Sequence, residues 1–165
     1  MSHTVFISIG SNIGDRLGNC KKAIKTFAED KGIKLIRASS FYETEPWGDG
    51  EIEQDWFVNC VVKIKTPLDA EALLALLQDI EKGLGRNRIK KGGPRVIDLD
   101  ILFFNRDITE IKEIIIPHPL LHKRRFVLTP ASEIAPDFIH PVLKKRVADL
   151  LRELDDNKKV IRLNI

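Results

Sequence analysis

Apolar positions along the chain repeat at two periods, and the switches between them lay out its elements. Residues 5–9 form a short, nearly continuous apolar run that ends at Gly10-Ser11-Asn12, predicting a buried strand closed by a turn. Leu17, Cys20, Ile24, Phe27 and Ala28 then recur at helical spacing, which predicts an amphipathic helix over residues 15–30 stopped by Gly32. Residues 33–42 read as a second strand and residues 43–55 as a polar loop punctuated by Pro46, Gly48 and Gly50. In residues 57–65 the period is two: Val58, Cys60, Val62 and Ile64 fall on one face, Phe57, Asn59 and Val61 on the other. Thr66-Pro67 predicts the cap and first position of a second helix, Leu73, Leu74, Leu77 and Ile80 supply its buried stripe, and Gly83 ends it. Residues 83–95 are too polar and glycine-rich for a regular element. Residues 96–104 make the strongest strand, turning at Asn105-Arg106-Asp107. Ile114 to Ile116 adds a short strand, Thr129-Pro130 marks a helix start, Val147, Leu150, Leu151 and Leu154 mark a later helix, and residues 160–163 a last strand.

The order strand-helix-strand-strand-helix-strand predicts an α+β chain with a ferredoxin-like βαββαβ core and a C-terminal helical and strand extension. A length of 165 residues without repeat, linker or low-complexity segment fits one domain over residues 1–165. Hydrophobic residues at 43% and charged residues at 31% describe a folded globular protein rather than a disordered one. No run approaches the ~20 apolar residues of a membrane helix, so no membrane partner is expected. The first residues lead straight into a strand without a leader pattern, and Cys20 and Cys60 stand far apart without a partner motif. A reduced, cytoplasmic protein is the expectation.

The net charge of +3 is too mild to imply nucleic acid, but its placement is informative. Between positions 82 and 95 every charged residue is basic: Lys82, Arg86, Arg88, Lys90, Lys91 and Arg95. A second cluster, His122-Lys123-Arg124-Arg125, follows. Such runs are either solvated loops or a cradle for a polyphosphate, and the second reading needs a metal site beside it. The segment Val96-Ile97-Asp98-Leu99-Asp100-Ile101 offers one. Side chains two apart on a strand share a face, so Asp98 and Asp100 project together from backbone positions ~6.6 Å apart. Carboxylates so spaced suit divalent ions, and magnesium takes one or two carboxylates with its other ligands from water and phosphate. A bare Asp-x-Asp is common on solvated strands. Arg95 just before this one, with Arg86 and Arg88 on the feeding loop, turns it into a consistent phosphoryl-transfer set. Gly10-Ser11-Asn12-x-Gly14 is neither a P-loop nor a dinucleotide fingerprint and reads as a structural turn.

These residues, with Ser40-Phe41-Tyr42-Glu43-Thr44-Glu45-Pro46-Trp47-Gly48, Phe57-Val58-Asn59, Gly93-Pro94-Arg95-x-Ile97-Asp98-Leu99-Asp100-Ile101, Pro117-His118, Arg124-x-Phe126 and Glu133-Ile134-Ala135-Pro136, closely resemble the 6-hydroxymethyl-7,8-dihydropterin pyrophosphokinases. The blocks keep the family's order over residues 5–141. The resemblance implies a magnesium-dependent enzyme of folate biosynthesis that moves pyrophosphate from ATP to the pterin hydroxymethyl group, releasing AMP. It implies that Asp98 and Asp100 hold two magnesium ions, and that Arg86 and Arg95 clamp the transferring group, joined by Arg88. It implies that His118 and Arg124 meet the nucleotide, and that Gln78, Glu81 and Ile101 stand where the nucleoside is held. Phe57 and Phe126 resemble the aromatics that sandwich the pterin, and Asn59 and Thr44, with main-chain groups near Pro46 and Trp47, resemble its polar edge. A monomer is expected, since the family's site lies within one chain.

Two positions depart from the family pattern: Gly92 stands where a tryptophan is frequent, and Phe57 where a tyrosine is. The alternatives are weaker. An RNA-binding ferredoxin-like domain would carry an aromatic RNP pattern, which is absent. A non-catalytic nucleotide sensor would be told apart by its lack of ATP-to-AMP turnover. His118 and His122 have a zinc-like spacing, but Pro119 between them and the missing third ligand argue against a zinc site.

Overall fold

The apolar run near the N-terminus becomes the central strand of the molecule. A computed structural model describes residues 2–48, 53–85 and 94–165. In chain order the elements are β1 (His3–Ser11), α1 (Arg16–Glu29), β2 (Lys34–Ala38), β3 (Tyr42–Thr44), β4 (Phe57–Thr66), α2 (Ala70–Gly83), β5 (Asp98–Phe104), β6 (Thr109–Ile111), β7 (Ile114–Ile116), α3 (Arg125–Ile134), α4 (Val147–Glu153) and β8 (Val160–Arg162). A short 3-10 turn, Leu121–Lys123, precedes α3. The main sheet runs β5-β1-β4-β3-β8, with β2 also paired to β4, and every pairing is antiparallel. This is the expected ferredoxin-like order, extended by β8 at one edge.

Alternation along the strands sorts side chains into two cores. Val5, Ile7 and Ile9 of β1 join Val58, Cys60, Val62 and Ile64 of β4 under Cys20, Ala23 and Phe27 of α1 and Leu73, Leu77 and Ile80 of α2. Phe6 and Val61, from the opposite face, pack with Leu102, Phe103, and Val127, Leu128 and Ala131 of α3, with Val147 and Leu150 of α4. The division read from residues 57–65 is therefore the one observed. Because α3 and α4 cover only part of the second face, the rest is left for a cavity.

The structure corrects several boundaries. Residues 33–42 do not make one strand, because the Ser39 hydroxyl accepts the Val61 N–H at 2.9 Å and breaks the ladder between β2 and β3. Glu43 and Thr44 lie in β3 rather than in the loop. The cap of α2 is Asp69, whose carboxylate accepts from the Ala72 N–H at 2.8 Å. Thr66 instead ends β4 and donates to the Gly32 carbonyl at 2.6 Å. Helix α3 begins at Arg125, ahead of Thr129-Pro130, and carries Pro130 inside it. The buried face formed by Val127, Leu128, Ala131 and Ile134 outweighs the hydrogen bond that proline forfeits. Gly10 and Ser11 belong to β1 rather than to a turn. Strand β6, with only Ile111 as an apolar residue and that one exposed, gave no periodic signal. Cys20 and Cys60, far apart in sequence, meet in the core. Their hydrogen bond, then burial, pushes the Cys60 thiol well up.

Candidate active site

Period two decides which side chains face the open part of the sheet. Ser8 and Gly10 of β1 stand opposite Asp100 and Asp98 of β5, and Gly10 also stands opposite Asn59 of β4. These strands and the residues over them line a cavity of about 270 Å³. It gathers Thr44, Trp47, Phe57, Asn59, Arg95, Asp98, Asp100, His118, Arg124 and Phe126, ten of the residues picked out from the sequence. A neighbouring groove, lined by Leu74, Ile101, Glu113 and Pro119, shares Asp100 and His118 with it. Those two residues therefore stand at the junction of two compartments.

The two acidic residues are half-buried and not equivalent. Asp98 accepts from Arg95 Nη1 at 2.7 Å. Burial first, then repulsion from Asp98 and Glu81, lifts Asp100 from 3.8 to about 7 against the pull of Arg124 and Arg95. A carboxyl held near neutrality in this way lacks positive charge. Hard oxygen donors short of positive charge fit a hard dication such as magnesium. Among the described residues no group of three or more His, Cys, Asp or Glu side chains converges on one point. The pair would leave most of such an ion's ligands to water and phosphate.

His118 is pushed down to about 4, mainly by burial and then by Arg124. It is neutral near pH 7. Its Nδ1 accepts the Leu120 N–H at 3.1 Å, which leaves the proton on Nε2 as a donor. The Arg124 guanidinium lies 4.7 Å from the Trp47 ring centroid and 5.6 Å from that of Phe126. Its Nε is buried without a hydrogen-bond partner.

The opposite end of the cavity is polar and neutral. The Thr44 hydroxyl donates to Asn59 Oδ1 at 2.6 Å, and Asn59 Nδ2 donates to the Ile9 carbonyl at 3.4 Å. A Cβ on Gly10 would lie 2.5 Å from that nitrogen, so the amide needs glycine at this point of β1. Asn12 ties the two sides together. It exchanges backbone and side-chain bonds with Arg95 at 2.9 and 2.7 Å, and its amide donates to Gln54 Oε1 and the Asp55 carbonyl at 2.9 and 3.1 Å.

Other expected residues fall elsewhere. Ile101 lines the groove rather than the cavity. Pro46 lies between the lining residues Glu45 and Trp47 without lining the cavity itself. Glu81 is buried and accepts the Leu99 N–H at 2.9 Å, joining α2 to β5. Gln78, on the same helix, is half-buried and lines neither compartment. Arg86, Arg88 and Gly92 lie outside the described residues. Sequence reasoning passed over Ser8, Gly10, Gln54 and Leu102 as lining residues. For Ser8 and Gly10 the signal was present, as the small and polar breaks at every second position of an otherwise apolar strand.

Comparison with known proteins places the chain in a family. Residues 6–136 match the family model described as 7,8-dihydro-6-hydroxymethylpterin-pyrophosphokinase (HPPK). A 2-amino-4-hydroxy-6-hydroxymethyldihydropteridine pyrophosphokinase of Methylorubrum extorquens is 39% identical over 150 residues, 91% of this chain and 92% of that protein. The Bacillus subtilis protein of the same name is 43% identical over 134 residues, 81% of this chain and 79% of its own. Among solved structures, Plasmodium falciparum HPPK-DHPS with pteroate superposes with a TM-score of 0.74 at 18% identity, over 93% of this chain. This chain spans only 42% of that longer protein, and the likeness speaks for the fold. With the family model matched over most of its length and these relatives near 40% identity, the chain belongs to the HPPK family.

Proposed function

We propose that this chain transfers the pyrophosphoryl group of ATP to the hydroxymethyl group of 6-hydroxymethyl-7,8-dihydropterin, giving AMP and the pterin diphosphate in folate biosynthesis. The observation that carries this reading is the pairing of Asp98 and Asp100 on one strand face, with Arg95 at 2.7 Å, inside a cavity whose other end is aromatic and amide-lined. A flat heterocycle suits the aromatic end, where Phe57 and Phe126 stack and Asn59 and Thr44 present hydrogen-bonding groups beside the main chain of Pro46 and Trp47. In the adjoining groove Ile101 contacts the nucleoside, and Gln78 and Glu81 of α2 support it from beside the groove rather than from its lining. His118, as a neutral Nε2–H donor, and Arg124 and Arg95, as cations, hold the phosphates between the two compartments. Arg86 and Arg88 complete that clamp.

Asp98 and Asp100 would hold two magnesium ions, which when bound neutralise charge on the β- and γ-phosphates. The remaining work of the chain is positioning. It holds the hydroxymethyl oxygen in line with the β-phosphorus, so that the new O–P bond forms as the bond to the α–β bridging oxygen breaks and AMP leaves. We further read the chain as one domain acting as a cytoplasmic monomer on small molecules, without nucleic acid or membrane. No described helix is long and apolar enough to cross a membrane.

The test is direct. Purified protein with ATP, magnesium and 6-hydroxymethyl-7,8-dihydropterin should yield AMP and the pterin diphosphate in equal amounts. Asp98→Ala and Asp100→Ala should each abolish turnover while keeping the fold. Release of ADP instead of AMP, or near-normal activity in both variants, would refute the assignment.

A further inference from the structure

Helix α3 starts without a cap of its own. Arg124 precedes it and offers no side-chain acceptor to the first turn, which would leave the Arg125 N–H unpaired. The acceptor comes from 31 residues downstream, where Asp156 Oδ2 takes that N–H at 3.0 Å. The helix dipole also favours a carboxylate at this end. The Arg125 side chain points to the same stretch, with Nε donating to the Asp156 carbonyl at 2.8 Å and Nη2 to the Leu154 carbonyl at 3.3 Å. The other Asp156 oxygen, Oδ1, accepts the Lys158 N–H at 3.0 Å and turns the chain. Lys159 then exchanges two bonds with Glu45. Its N–H reaches Glu45 Oε1 at 2.9 Å, and its carbonyl accepts the Glu45 N–H at 3.0 Å. Val160 follows opposite Thr44, where β8 joins β3.

Both ends of this run land on walls of the cavity. Arg124 and Phe126, on either side of Arg125, belong to one wall, and Thr44, Glu45 and Trp47 to the other. We propose that residues 154–162 are a strap that fixes the spacing of these two walls, with Asp156 as its positioning residue for the pterin. This inference rests on the functional reading above, in which Phe126 and Thr44 hold the pterin. Asp156 does not line the cavity and acts through the Arg125 and Lys158 N–H groups. A ring held between two walls is sensitive to their spacing, and a misplacement of about 1 Å can cost roughly a hundredfold. Strand β5, with Asp98 and Asp100, is held by β1 and lies outside the strap.

Steady-state kinetics and calorimetry on the purified chain test this. Asp156→Ala should raise the pterin KM at least about tenfold, while affinity for magnesium α,β-methylene-ATP falls by less than about threefold. Asp156→Asn, which keeps one of the two acceptors, should lie between Asp156→Ala and the native chain. Asp149→Ala removes the contacts with Arg146 and Arg152 on α4 and leaves the strap intact, so its pterin KM should stay within about twofold of native. Hydrogen exchange reads the strap without activity. In Asp156→Ala the Glu45 and Lys159 amides should exchange roughly tenfold faster or more, the equivalent of one lost bond to a charged acceptor. A pterin KM near native in Asp156→Ala, an equal loss for both substrates, an equal rise in Asp149→Ala, or unchanged exchange at Glu45 overturns the inference alone. A native chain that neither binds nor turns over pterin overturns the functional reading with it.

Discussion

Gly10→Ala tests the cavity from its floor. Gly10 has an ordinary strand φ, so alanine is allowed by the backbone, and the whole cost is a contact. The added Cβ would lie 2.5 Å from Asn59 Nδ2, 3.6 Å from its Cγ and 3.7 Å from Phe57 Cδ2. The amide has nowhere easy to go, because it is only 4% exposed and bonded at both ends, to Thr44 and to the Ile9 carbonyl. Either the side chain rotates and loses these bonds, or β1 and β4 separate. Overpacking of this kind costs about 1–3 kcal/mol, which urea denaturation should register. If Asn59 presents its amide to the pterin, a loss of about 1–3 kcal/mol of recognition raises the pterin KM roughly 5- to 150-fold. Nucleotide affinity should stay within about twofold, since the alanine points at β4 rather than at Asp98. Gly10→Ala combined with Asn59→Ala should cost far less than the sum of the two. A pterin KM within twofold of the native value, or an equal loss of nucleotide affinity, would refute the reasoning.

In metal-free protein, Asp100 keeps its proton to about pH 7 in the fold but releases it near 3.8 when unfolded. The native fold is therefore penalised progressively as pH rises from about 4 to 7. Asp100→Asn should match the native stability near pH 4 and exceed it by roughly 2–4 kcal/mol at pH 8, and a difference flat with pH would refute the burial argument. Glu133 accepts the Tyr42 hydroxyl at 2.6 Å and the Ser40 N–H at 2.8 Å, holding β3 against α3. Glu133→Ala should cost roughly 2–3 kcal/mol. It should also bring the Tyr42 phenol, pushed up to about 12 by burial and then by Glu133, part of the way down, and an ultraviolet titration that shows no movement would refute it. Asn12→Ala releases Arg95 on one side and residues 54–55 on the other, so it should lower kcat/KM for both substrates at least about tenfold. Steady-state constants within twofold of native would count against that tie.

The parts legible in the sequence were those set by local periodicity. Asp98 and Asp100 share a face because the pleat requires it, and the split of β4 into Val58, Cys60 and Val62 against Asn59 and Val61 follows from the same rule. The parts that escaped depend on contacts between distant residues. Nothing near Ser39 announces that its hydroxyl will take the Val61 N–H and end β2. Pro130 reads as a helix start until the packing of Val127 and Leu128 carries the helix past it. Cys20 and Cys60 carry no pairing motif, yet α1 crossing β4 sets one thiol against the other. The resemblance sets Glu81 at the nucleoside, but nothing local announces that its carboxylate also accepts a β5 backbone N–H. The stacking of Arg124 on Trp47 joins two loops whose meeting only the fold decides.

The charges of the site explain why its acidic pair is unequal. Arg95 follows Pro94 and is held by Asn12 through both its N–H and its carbonyl, which fixes its backbone just ahead of β5. From there its side chain reaches Asp98, whose carboxylate is thereby satisfied. Asp100, one pleat deeper, is pushed up by burial and then by repulsion from Asp98, with Arg124 as the main opposing charge. Asp100 therefore keeps a proton. Magnesium held by the two carboxylates would supply the positive charge that otherwise comes from Arg95 and the Asp100 proton. Arg95 would then be free for phosphate at the moment the nucleotide brings its metal. The inequality of the pair thus follows from position along β5, with one carboxylate beside Arg95 and the other buried and repelled by Asp98 and Glu81.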